Sequence, residues 1–92
     1  MELEKLRIFI AVAELQSISG AAEKLYISHS TVSRAVGSLE AALDTELIER
    51  TNRCIGLTPA GKVLLEEAKA LLAAADRAAE RVRSAGERNE QS

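Results

Sequence analysis

Apolar and polar positions alternate along this chain with a helical period in four stretches, separated by short breaks. In the first, from Glu2 to about Gln16, Leu3, Leu6, Phe9, Ile10 and Ala13 fall on one stripe, with Glu2, Lys5 and Glu14 off it. Ser17-Ile18-Ser19-Gly20 interrupts the pattern, and Ser19 is suited to cap a second, short helix that runs to Leu25 and buries Ala21, Ala22 and Leu25. Tyr26 and Ile27 leave room only for a tight corner before the third helix, the geometry of a helix-turn-helix. In that third helix, at about 100° per residue, Val32, Ala35, Val36, Leu39 and Leu43 share an apolar arc, while His29, Ser30, Ser33, Arg34, Gly37 and Ser38 lie opposite. Ser28 is placed as its N-cap, with Ile27 and Val32 spaced as a hydrophobic staple.

Past Leu43-Asp44-Thr45 the period shortens. Glu46 to Arg50 reads as one strand and Ile55 to Leu57 as a second, with Thr51-Asn52-Arg53-Cys54 as the turn of a hairpin. Thr58-Pro59 then signals a helix start, cap followed by proline at the first helical position. No breaker follows until about Ser84. Leu64, Ala68, Leu71, Ala75, Ala78 and Val82 step by four and three, a coiled-coil seam widened by Leu65 and Leu72. About 27 helical residues span about 40 Å, more than a domain of this size needs for its own core, so the seam predicts a partner helix. The first helix can cover its first turns but not its whole length. The end beyond Gly86 is polar and expected to fray.

The outward face of the third helix is unusual in its chemistry. It lacks the Glu/Lys mixture of a solvated helix and offers short hydroxyls, an imidazole, one guanidinium and a bare Cα. Arg34 can pair with guanine O6 and N7, the hydroxyls of Ser28, Ser30, Thr31, Ser33 and Ser38 can bond to base edges or phosphates, and Gly37 removes bulk. The free helix N-terminus suits a phosphate. An ordinary surface helix can also be rich in serine, so context decides. In the hairpin, Arg53 is placed to reach the backbone or a narrow minor groove, and Arg50 either does the same or braces the hairpin.

Composition narrows the picture. The chain has 92 residues, Ala and Leu dominate, and aromatics amount to 2%, which leaves little for a ligand pocket. Twelve basic against 14 acidic side chains give a net charge of −2, so affinity for DNA has to come from local placement: Ser28 to Leu39 carries one Arg and no acid. The single cysteine, Cys54, excludes an intrachain disulfide and fits a reducing cytoplasm. His29 is the only histidine and has no second ligand at metal spacing, so no metal or cofactor is expected. No nucleophile, base and orienting group cluster, which argues against an enzyme. No span has the length and apolarity to cross a membrane.

Ala21-Ala22-Glu23-Lys24-Leu25, Ile27-Ser28, Val32-Ser33-Arg34, Leu39-Glu40, Leu47-Ile48-Glu49-Arg50 and Leu57-Thr58-Pro59-Ala60-Gly61, in this order and spacing, resemble the amino-terminal domain of LysR-type transcriptional regulators. The likeness runs from Leu3 to about Ala85. It implies a mainly α fold, a winged helix-turn-helix of three helices and a β-hairpin over residues 1–57, followed by a dimerising linker helix over 58–92. The implied function is sequence-specific binding of double-stranded DNA by a homodimer, with effector sensing outside this stretch. The family often carries Gln and Pro where this chain has His29 and Ser30, and a polar or basic residue at Gly37, all on the reading face. The competing reading is a helical dimerisation module that never touches DNA.

Overall fold

The structure, a computed structural model, describes residues 1–50 and 54–91, with side chains through Glu87. Its elements run α1 (Leu3–Leu15), α2 (Ile18–Leu25), α3 (His29–Leu43), β1 (Ile48–Arg50), β2 (Ile55–Leu57) and α4 (Pro59–Gln91). The expected winged helix-turn-helix with a long fourth helix is present.

Helix α1 is the hub, packed against α2, α3, α4 and β2. That position corrects the single stripe expected from its sequence. Leu6, Ile8, Phe9, Ala11 and Val12 are buried, whereas Leu3 stays 43% exposed. A helix with neighbours on several sides buries more than the one arc that periodicity marks.

The cap of α2 is two residues earlier than expected: Ser17, not Ser19, holds the N-cap position, its Oγ accepting the Gly20 N–H at 2.8 Å. Helix α2 closes on Tyr26, which takes a left-handed backbone (φ 58°), and the Ile27 N–H returns to the Ala22 carbonyl at 3.1 Å. The same closure ends α3, where Asp44 has φ 50° and the Thr45 N–H reaches the Glu40 carbonyl at 3.1 Å. These glycine-free turns fix the directions in which α3 enters and leaves the core.

The first strand begins at Ile48 rather than Glu46, because the two residues before it are held by other partners. Glu40 Oε2 accepts the Leu47 N–H at 2.8 Å, and the Thr58 hydroxyl donates to the Glu46 carbonyl at 2.7 Å. Strand β1 pairs antiparallel with β2, Ile48 facing Leu57 and Arg50 facing Ile55. The hairpin is tied to the hub where the Ile55 N–H meets the Gln16 carbonyl at 3.2 Å.

Thr58 caps α4 as its sequence indicates, its Oγ1 accepting the Gly61 N–H at 3.0 Å. Gly61 is buried where α4 crosses the end of β1, and a Cβ there would collide with the Leu47 carbonyl. The helix continues to Gln91, past the end expected at Gly86, consistent with the good helix formers Glu and Arg beyond it. The molecule extends 61 Å along its longest axis and 26 Å and 19 Å across, so much of α4 projects beyond the core.

Candidate nucleic-acid interface

The candidate surface is built by sealing one side of α3. Val32 and Val36 are fully buried, Leu39 is 1% exposed and Ala35 6%. Leu43, expected on the same arc, is 38% exposed because the chain is already leaving the core there. Filling these positions turns His29, Ser30, Arg34 and Gly37 outward. Ser33 and Ser38 are half-buried at the edges of that face.

Not all the hydroxyls there are equally available. Ser28 Oγ accepts the Thr31 N–H at 3.1 Å and lies 2.7 Å from Thr31 Oγ1 and 3.2 Å from Ser30 Oγ. Ser28 and Thr31 thus first serve to start the helix. Ser38 is engaged from outside it: Lys5 Nζ, on α1, donates to Ser38 Oγ at 2.7 Å. No pattern within either helix signals that contact across 33 residues. The space around Gly37 is open, with no heavy atom within 4 Å of a Cβ built there. Neither α2 nor α3 has an acid in its first turn, so no carboxylate offsets their positive ends.

The fold brings His29 to the hairpin. It shares a shallow pocket of about 290 Å³ with Gln16, Ser17, Ser19 and Cys54, so the base of the wing adjoins the start of α3. Arg50 lines a groove together with Glu40, Glu46 and Glu49, an acidic setting for its guanidinium. Arg53 and the rest of the hairpin turn, Thr51 and Asn52, lie outside the described residues. Among the described residues there is no group of three or more His, Cys, Asp and Glu side chains placed to hold a metal ion. Nor is any helix among them long and apolar enough to cross a membrane.

The second surface, on α4, divides in two. Leu64 is 7% exposed and Ala68 fully buried, both within the core cluster that contains Leu6 and Phe9. Both were expected at a partner interface; within the protomer they are already packed in the core, because α1 covers the first three turns. Lys69 adds an ion pair to Glu14 of α1 at 3.4 Å. Leu65, Leu72 and Ala75 are half-buried. Farther along, Leu71 is 43% and Val82 72% exposed, and Ala78 is exposed beside them.

A hub helix, a tight helix-turn-helix, a two-stranded wing and a projecting fourth helix define a winged helix-turn-helix protein. Residues 3–62 match the bacterial regulatory helix-turn-helix proteins of the lysR family, and the chain belongs to that family. It is 51% identical over 71 residues to a probable hydrogen peroxide-inducible genes activator of Mycobacterium avium, covering 77% of this chain and 23% of that protein. It is 42% identical over 85 residues to the HTH-type transcriptional regulator TcbR of Pseudomonas sp. (strain P51), covering 92% of this chain and 29% of TcbR. This chain therefore spans about a quarter of the length of these relatives. Among solved structures, the CbnR DNA-binding domain in complex with DNA aligns with TM-score 0.91 at 42% identity, covering 94% of this chain and 99% of that one. The BenM DNA-binding domain on catB site 1 DNA aligns with TM-score 0.86 at 38% identity, covering 91% and 93%.

Proposed function

We propose that this chain is the DNA-binding and dimerising part of a transcriptional regulator that acts on double-stranded DNA in the bacterial cytoplasm. The observation that carries this reading is α3: one face sealed in the core, and the other exposed, free of acids and rich in short donors around Arg34. Its similarity to the transcriptional regulator TcbR and to the CbnR DNA-binding domain solved on DNA supports it, and the reading gives the chain no catalytic step.

In this reading α3 enters the major groove. Arg34 reads a guanine edge, and His29, Ser30 and Ser33 contact bases or phosphates near it. Gly37 lets the helix approach closely, and Arg53 of the wing contacts the backbone. Ser28 and Thr31 contribute by holding the helix start in shape, and Arg50 by bracing the hairpin. Pairing of two chains places two such helices on one face of the duplex, at half-sites separated by about one helical turn or a multiple of it. We assign the pairing to the part of α4 that α1 does not cover, around Leu71, Ala78 and Val82. It continues into a groove of about 430 Å³ lined by Met1, Leu43, Val63 and Leu71. With aromatics at 2% these residues leave little for a ligand pocket, so the DNA affinity of this chain should not respond to small molecules.

Retention on duplex DNA tests the reading. Retention that falls steeply as salt rises supports it, whereas no retention at low salt favours a dimerisation module without DNA binding. Selecting bound duplexes from a random pool then gives the preferred site.

A further inference from the structure

We propose that Lys5, on α1, is the second cation of the recognition surface, a phosphate-contacting residue carried by a helix that does not itself enter the groove. The inference rests on the DNA-binding reading above. Between Ser28 and Leu39 the sequence supplies a single cation, Arg34, which is sparse for a protein of net charge −2 facing a polyanion. The tertiary structure adds another. Lys5 Nζ lies 2.7 Å from Ser38 Oγ, and Ser38 follows Arg34 by four residues, about one turn and about 6 Å along the axis. Ser38 thus lies on the same side of α3 as Arg34, one turn farther on, and the ammonium bonded to it adds a charge to that side.

The bond to Ser38 uses one of three ammonium protons. The other nearby partner is the Glu2 carboxylate at 3.6 Å, an ion pair whose acid is 75% exposed and so readily released to water. Lys5 keeps 31% of its side-chain surface open. Partial burial of the side chain with a head group still open to water is usual for a long cationic residue. A phosphate arriving at this edge replaces Glu2 as the counter-charge, and the Ser38 hydroxyl holds the ammonium in position. Ser38 then acts through Lys5 rather than by reading a base itself.

The test is the salt dependence of duplex affinity for the 92-residue chain and its Lys5→Met variant, on a preferred and a random duplex. Loss of one phosphate contact lowers the slope of log affinity against log salt by about one on both duplexes. Going from 50 to 200 mM salt, the variant should thus lose roughly 3–4-fold less affinity than the parent. Lys5→Arg, which keeps the charge, should retain the parental slope. If Lys5 only tied α1 to α3, Lys5→Met would lower the unfolding midpoint and leave the slope unchanged; that result overturns the proposal. Loss confined to the preferred duplex also overturns it, since that is the signature of base reading. A parent chain that is not retained on DNA at all would refute the DNA-binding reading as well, whereas a retained parent with an unaltered variant slope refutes the Lys5 assignment alone.

Discussion

Helices α3 and α4 are both amphipathic, yet they use their polar faces in opposite ways. On α4, Lys62, Lys69, Arg77, Arg81 and Arg83 are interleaved with Glu66, Glu67, Asp76, Glu80 and Glu87. Such a face is solvated and electrically neutral at a distance; the Arg83–Glu80 pair at 2.9 Å shows the local cancellation. On α3 the exposed face has one guanidinium, hydroxyls and an imidazole, with Glu40 turned aside to hold the Leu47 N–H. In the proposed function, a chain of net charge −2 addresses DNA without a basic coat, by clearing acids from a single face. The apolar faces differ as well. That of α3 is consumed within the protomer over nearly its whole length, while that of α4 is consumed only as far as α1 reaches.

The two ends of the α4 seam should therefore respond differently to mutation. Leu64→Ala should remove about 2–5 kcal/mol of stability, because it opens a cavity in the core. Leu71→Asp should leave the protomer folded and split the dimer at micromolar concentration, as sedimentation would show; an unaltered dimer would refute the assigned interface.

Two glycines sharpen the same contrast. Gly61→Ala in α4 should cost about 1–3 kcal/mol in urea unfolding, since the new methyl meets the Leu47 carbonyl, backbone that cannot swing away. On α3, Arg34→Ala should weaken the preferred site by about 1–3 kcal/mol and narrow its margin over random DNA, with no comparable loss of stability. Equal weakening on both duplexes would assign Arg34 to the backbone instead. The smallest effect is expected at Gly37. Gly37→Ala should raise stability by up to about 1 kcal/mol, the open space imposing no clash. On DNA the same variant should bind less tightly, and an unchanged affinity would show that the gap at Gly37 faces no ligand.

The sequence by itself determined the order of helices and hairpin and the two-faced character of α3. Val32, Val36 and Leu39 against His29, Ser30 and Arg34 is a local angular pattern, and Ser28 and Thr58-Pro59 are local start signals, so each is visible within one or two turns of helix. Ser17 rather than Ser19 as the cap of α2 escaped that reading, since both serines fit and only the backbone conformation separates them. What the tertiary structure alone decided was how far covering extends and which distant groups meet. Leu64 and Leu71 belong to one heptad seam by sequence, and the length and placement of α1 makes the first a core residue and leaves the second open. Gly61 against Leu47, Glu40 holding the wing, and Lys5 on Ser38 depend on pairs separated by many residues along the chain. Periodicity records which side of a helix is apolar; it holds no information about what lies opposite, and that is set only when the elements pack.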